Sequence, residues 1–300
     1  MNGPPGPDGP GAEVRLEPSF VLHTSPYRDT SLVVDLFTLG RGRQALVARS
    51  ARASRPAVRA LYQPFRPVLV SWTGRGAMKT LIGIEESGRG HALEGEALAC
   101  AYYCSELVLR LVGKDQPLPE LFAHYSLALA ELAGGEDVER ALRAFELQLL
   151  GAIGTLPDFA HAARGGRAVD PGARYRYHVA NAVAVPVRDE TVHGRLKPER
   201  RGLDDGPGVA DGDAAWHADG VTPDEGVEVS GATLVALAEL DLSDPAVRAE
   251  ARPLMKRVMA GQLGGRGLNS RALFDALGGR GEDPPGRPGG GGAPAARGEG

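Results

Sequence analysis

Nine cationic side chains, Arg41, Arg43, Arg49, Arg52, Arg55, Arg59, Arg66, Arg75 and Lys79, fall between Leu36 and Ile84, and that stretch contains no aspartate or glutamate. The whole chain carries a formal net charge of −4, so the run departs from the charge balance around it. Uncompensated guanidinium and ammonium groups on one face suit a polyanion, and phosphate contacts of this kind supply most of sequence-independent nucleic-acid affinity. A solvated surface in an arginine-rich composition is the plainer explanation, and order and spacing must decide between the two. Apolar runs such as LVVDLF, ALVA and PVLVSW alternate with the arginines, so the segment can bury a core and is no basic tail.

Other chemistry is sparse. The chain has no GxxxxGK[ST] phosphate loop, no HExxH, no GxSxG and no paired-cysteine metal framework. Cys100 and Cys104 lie four apart in a helical stretch, which places both on one face as reduced core residues of a cytoplasmic protein. His161, His178, His193 and His217 are irregularly spaced in glycine-rich text, a pattern that favours solvated surface over a metal site. No metal or cofactor is expected, and the lack of a catalytic constellation favours a binding protein over an enzyme. The first residues lack the basic and apolar regions of a secretory signal, and no apolar run is long enough to span a bilayer.

The elements that must position the arginines follow from periodicity. VRLEPSFVLH, TSLVVDLFT, RQALVARS, PFRPVLVSW and AMKTLIGIEES read as five short strands, with turns at Thr24–Asp29, Gly40–Gly42 and Thr73–Gly76. The long basic connection after the third strand, ARASRPAVRALYQ, fits a closed barrel of the oligonucleotide-binding (OB) kind over residues 13–87. From about His91 the apolar recurrence turns helical, giving three helices through EGEALACAYYCSELVLRLVG, PELFAHYSLALAELAG and DVERALRAFELQLLGAIG. A mostly α-helical region is expected over 88–277, interrupted by a low-complexity insertion at about 155–229 with one short strand near HVANAVAVPV. Helical texture returns at Ser230, and Pro253 is expected to kink or break the helix that contains it. Residues 1–12 and 278–300, rich in Gly and Pro, read as disordered tails. The fold class is therefore α+β.

FVLHTSPYRDTSLVVDLFTLGRGRQALVARSARASRP, continuing with LYQPFRPVLVSWTGRGAMKTL, resembles the amino-terminal domain of the RecO family of bacterial recombination mediators. The likeness rests on Val21-Leu22 in the opening strand, the Tyr27–Ser31 turn, the Gly40–Gly42 hairpin with its arginine-rich sequel, and Gln63-Pro64-Phe65. Downstream, ACAYYCSELVLRLV, ALRAFELQLLGAIG and LNSRALF resemble the helical domain of that family. The resemblance spans residues 13–153 and 230–277. It implies binding of single- and double-stranded DNA, annealing of complementary strands, and loading of the RecA recombinase together with RecR. It also implies contact with the acidic, apolar tail of single-stranded DNA-binding protein. Some members carry a four-cysteine zinc site in the middle region, where this chain has no cysteine.

A barrel of this type tracks a strand with cations and stacks bases on aromatic rings. Arg41, Arg43, Arg49, Arg52, Arg55, Arg59, Arg75 and Lys79 are the candidate phosphate contacts, with Arg49–Arg59 the most exposed part. Arg66, between two prolines, is set aside. Tyr62 is the first choice of stacker over Tyr27, Phe65 and Trp72, the last two reading equally as barrel packing. For the partner tail, Arg110, Arg140 and Arg143 are candidate rims of an apolar groove that would receive a terminal carboxylate. Two other readings stay open: an adaptor whose barrel binds protein, and a nucleic-acid enzyme with metal held by the histidine-bearing insertion.

Overall fold

Five strands form the first part of the chain: β1 (Val14–Tyr27), β2 (Ser31–Thr38), β3 (Gly42–Ala48), β4 (Pro67–Thr73) and β5 (Lys79–Glu86). The structure, a computed structural model, describes residues 13–74, 76, 79–135, 137–163, 165–187, 226–264 and 268–270. Both terminal tails, residues 188–225 and Arg75 lie outside the described residues. The strands close into a barrel of order β1-β2-β3-β5-β4, with β4 returning to β1. All pairings are antiparallel except β3 with β5, which run parallel from Leu46 opposite Lys79 to Ala48 opposite Leu81. This is the order of the OB fold, and the long connection between β3 and β4 is what lets a parallel pair close it.

The runs of consecutive apolar residues in these strands have a simple cause. Val21, Val34, Leu36, Leu46, Val68, Val70, Trp72 and Leu81 fill the barrel interior. Phe20, Leu22, Phe37 and Phe65 join the core shared with the helices. Neighbouring residues in β1 and β2 are thus buried on opposite faces, so alternation with polar residues is lost. β1 is longer than the sequence suggests, since Thr24–Tyr27 continue the ladder with β2 and only Arg28, Asp29 and Thr30 turn the chain.

The helices are α2 (Gly95–Leu111), α3 (Pro119–Gly134) and α4 (Val138–Ala152), then α5 (Gly231–Glu239) and α6 (Pro245–Gln262); a short α1 (Pro56–Ala60) sits in the β3–β4 connection. α3 ends on Gly135 at φ 71, and α4 and α5 start from capping side chains, Asp137 and Ser230, each accepting a backbone N–H. α6 runs unbroken through Pro253. Pro253 and Ala249, whose carbonyl loses its helical donor, both lie on the exposed face, where solvent replaces the missing bond.

Residues 155–187 depart from the expectation of a loose insertion. β6 (Arg174–His178), β7 (Val183–Pro186) and β8 (Val227–Ser230) form an antiparallel sheet of order β7-β6-β8. Phe159, Val169, Tyr175, Tyr177 and Ala184 are buried in the helical core. Among the described residues no helix is long and apolar enough to cross a membrane.

The barrel and the helices share one apolar seam. Phe20 and Phe37, on the outer face of the barrel, meet Phe122 tilted and Tyr125 edge-on, both of α3, at centroid separations of 5.3–6.0 Å. Phe65 meets Tyr102 of α2 edge-on at 4.8 Å. Aromatic pairs of this geometry contribute about 0.5–1.5 kcal/mol each beyond the area they bury.

Candidate nucleic-acid interface

The β3–β4 connection carries the surface cations. After Ala48 the backbone turns at Ser50, which takes φ 55, and a single 3-10 turn follows over Ala51–Ala53. Buried Ala51 anchors that turn, which leaves Arg49 and Arg52 exposed on either side of it. Arg55 is extended, at φ −57 and ψ 150, because the residue before a proline is kept out of the helical region. Pro56 then opens α1, where its missing N–H costs nothing, and Arg59 falls in the last turn. Val58 and Leu61 pack the inner side of this connection on the barrel core. Arg49, Arg52, Arg55 and Arg59 are all exposed.

Arg52 ties this connection to the β1–β2 turn. Its amide donates to the Thr30 carbonyl at 2.9 Å and its guanidinium to the Asp29 carbonyl at 3.1 Å. Asp29, Thr30, Arg52, Ala53 and Arg59 line an open depression of about 400 Å³. Arg28, exposed and at φ 53, reaches over the Tyr27 ring with its guanidinium 5.2 Å from the centroid, a cation–π contact. Charge clustering does not single out Arg28, which precedes the acid-free stretch and neighbours Asp29. Its signal was position: the turn joining the first two strands flanks the ligand face of an OB fold.

The other candidates are placed differently. Arg43 is largely covered: its Nε donates to the Val112 carbonyl at 3.0 Å, and its guanidinium lies 3.9 Å from Asp35. Lys79 donates to Gln44 at 2.6 Å and to Asp115 at 2.5 Å. Arg41 is half-buried, and its carbonyl accepts the Gln44 side-chain amide at 2.6 Å. Arg66 lies 3.9 Å from Glu86. Tyr62, expected as a stacking platform, is a core residue at 8% exposure, and burial pushes its phenol above the ordinary range. The reason is local: α1 ends at Ala60 and the chain turns inward, carrying Tyr62 beneath the connection. Trp72 and Phe65 are also core residues. Of the four candidate rings Tyr27 alone lies outside the buried core, and it carries the exposed Arg28 over its face.

The three partner-site arginines do not share a surface setting. Arg143 is buried and ion-paired with Glu146 at 2.5 Å, while the Tyr103 hydroxyl donates to the same carboxylate at 2.7 Å. It is therefore a core charge and no groove rim, since the i,i+3 spacing on α4 turns both groups toward α2. Arg140 binds Glu131 at 2.9 Å across α3 and α4. Arg110 alone opens on a cleft, of about 540 Å³, bounded also by Leu22, Pro64, Tyr102 and Leu109. There its guanidinium donates to Glu106 at 2.6 Å. The Glu106 carboxylate also accepts the Asn269 and Ser270 amides and the Ser270 hydroxyl, each at 2.9 Å. Burial alone would raise the Glu106 carboxyl, but these donors outweigh it and hold the group below its ordinary value.

Among the described residues no three His, Cys, Asp or Glu side chains gather as a metal site. His161 pairs with Asp158 at 3.2 Å, and His193 and His217 lie outside the described residues. Burial drives the Cys100 thiol up to about 12, so it is no nucleophile at neutral pH.

Comparison with known proteins agrees with this architecture. The family model described as "Recombination protein O N terminal" matches residues 16–86, and "Recombination protein O C terminal" matches residues 92–194. The DNA repair protein RecO of Methylococcus capsulatus is 39% identical over 266 residues, covering 89% of this chain and 95% of the relative. RecO of Chromobacterium violaceum is 35% identical over 264 residues, covering 88% and 96%, and that of Halorhodospira halophila 39% over 267, covering 87% and 97%. With an OB barrel under the first match, helices under the second, and likeness along nearly the full length of these relatives, the chain belongs to the RecO family.

Proposed function

We propose that this chain is a non-catalytic DNA repair and recombination mediator. It binds single- and double-stranded DNA through the barrel, anneals complementary strands, and with RecR helps to load RecA onto DNA coated by single-stranded DNA-binding protein. The bacterial cytoplasm is where such a protein works. The observation that supports the reading best is the exposed set Arg49, Arg52, Arg55 and Arg59 beside Arg28, on a connection hydrogen-bonded to the β1–β2 turn of an OB barrel. Cations carried on a backbone already tied to the barrel bind phosphate without the further cost of ordering the loop at the moment of contact. Among the described residues no base-reading set accompanies them, which suits a protein that must act on any sequence. Annealing then has an electrostatic cause, because two strands neutralised on one cationic surface repel each other less.

The cleft at Arg110 supports the partner part of the reading, with apolar walls and a guanidinium able to receive a carboxylate. The test is a salt titration of single-strand binding by the wild type and by Arg49→Ala, Arg52→Ala and Arg55→Ala combined. Each lost phosphate contact lowers the log–log salt slope by about 0.7 for a single strand. A slope reduced by about 2, with weaker binding at low salt, is the expected result; an unchanged slope removes this surface from the reading. Annealing of complementary strands coated with single-stranded DNA-binding protein examines DNA and partner contact together. No gel shift at low salt, with partner capture intact, would select the adaptor reading instead.

A further inference from the structure

The α2–α3 connection lies against the barrel at the place where two of the candidate cations sit. The Asp115 amide donates to the Arg43 carbonyl at 3.1 Å, and Lys114 forms a single parallel bridge with Arg43. The connection thereby adds one rung to β3, on the side of the barrel where β5 begins only at Lys79, opposite Leu46. The β2–β3 turn fits it closely. Gly42, at φ 64, leaves room for Gln116, whose carbonyl oxygen would be 1.9 Å from any Cβ at position 42. These contacts hold Asp115 in the left-handed region, at φ 56, with its carboxylate on Lys79.

The chemistry of this contact is that of a phosphate clamp filled from within. Lys79 Nζ donates to the Asp115 carboxylate at 2.5 Å and to Gln44 Oε1 at 2.6 Å, and the buried Gln44 is fixed by its own bond to the Arg41 carbonyl. The ammonium is therefore pre-oriented. The lysine side chain is only 20% exposed, whereas that of its carboxylate partner is 64% exposed. Lys79 and the Gln44 side chain both hold the Asp115 carboxylate, but its outer side is open to water, where a polyanion offers a higher local density of competing oxygens than one carboxylate does. Asp115 is the outer, replaceable member of the pair, and Lys79 the anchored one.

We infer that Asp115 is an internal competitor for the DNA backbone: it occupies Lys79 in the free protein and yields it to a phosphate when a strand crosses the β3–β5 side of the barrel. Lys79 is then a reserve contact that strengthens binding only once a strand is engaged, and weakens chance capture of other anions. Lys114, exposed on the same connection, carries the cationic surface onto the helical region.

This inference rests on the proposed DNA binding, and the experiment separates the two. Single-strand affinity is measured against salt for the wild type, Asp115→Asn, Asp115→Gly, Lys79→Ala and the Lys79→Ala/Asp115→Asn pair. Asn and Gly both tolerate the left-handed backbone, so neither replacement strains the turn, and thermal melting verifies that each variant is folded. Both single replacements of Asp115 are expected to tighten binding about 3- to 10-fold at low salt and to steepen the salt slope by about 0.7. The gain should vanish when Lys79 is also removed. Unchanged affinity in both Asp115 variants overturns the inference and leaves DNA binding standing. A gain that persists without Lys79 also overturns it, because the carboxylate would then act only by general repulsion. If the wild type itself fails to bind at low salt, the DNA-binding reading falls and the inference falls with it.

Discussion

Glu106 shows what one well-supplied carboxylate does here. It accepts from Arg110 on its own helix and from Asn269 and Ser270 far along the chain, so it fastens the late segment to α2. Its carboxyl is depressed in the fold, because those donors outweigh a burial effect of opposite sign. A depressed carboxyl contributes stability that is complete above its unfolded value, about 4.3, and is lost as pH falls through the lower folded value. Urea unfolding should therefore find Glu106→Gln less stable than the wild type at pH 7 by about 1–3 kcal/mol. That gap should narrow as the pH is taken below about 4. A gap that stays constant down to acid pH would mean that the carboxylate charge is irrelevant to the fastening.

Among the elements, α2 and α4 carry the least obvious feature, a fully buried carboxylate beside a nearly buried guanidinium. Glu146 is 0% exposed and Arg143 is 7% exposed. Burial raises the Glu146 carboxyl, and the Arg143 charge and the Tyr103 hydroxyl oppose that rise. Removing one partner strands the other's charge in an apolar core, whereas removing both can be neutral or stabilising. Arg143→Leu alone is expected to cost about 3–5 kcal/mol, and Arg143→Leu with Glu146→Leu far less. A thermodynamic cycle on these variants checks this, and equal losses in the single and double variants would refute it. The consequence for partner binding is practical: a defect in an Arg143 variant would report a damaged core before it reported a lost rim.

The same two elements show what periodicity can and cannot reveal. The apolar recurrence in ACAYYCSELVLRLV and ALRAFELQLLGAIG marks the helices and their buried faces, because a helix returns a side chain to the same side every three to four residues. It cannot tell a rim arginine from a core arginine, since both sit at the edge of an apolar stripe. RYRYH is the opposite case. Its strict alternation places Tyr175 and Tyr177 inward and Arg174 outward, a strand signal that the surrounding glycines and prolines concealed.

For the molecule as a whole, the seam between barrel and helices matters most. Phe20, Phe37 and Phe65 belong to the helical core, so the barrel is incomplete as an apolar body without α2 and α3. Fully burying a phenylalanine is worth about 1.5–3 kcal/mol, and three of them rival the whole stability of a typical domain. A fragment of residues 13–87 is thus expected to melt well below the full chain and to bind a hydrophobic dye, as calorimetry and dye fluorescence would reveal. A fragment as stable as the full chain would show that the seam contributes little. The seam also fixes the α2–α3 connection against β3, and so brings Asp115 to Lys79 across 36 residues of sequence.

Local chemistry along the chain was enough to establish five strands, a long basic connection, the run of helices and an acid-free cationic stretch, because strand alternation, helical recurrence and proline all act over a few residues. It also sufficed to single out Arg49, Arg52, Arg55 and Arg59, whose exposure follows from a connection that must run over the surface. Folding decided which of the remaining cations meet solvent. Arg43 and Lys79 face the α2–α3 connection, Arg143 faces Glu146, and Tyr62 turns beneath its own loop. Each outcome depends on what packs against a residue from a distant part of the chain, and charge or aromaticity at a position carries no information about that neighbour.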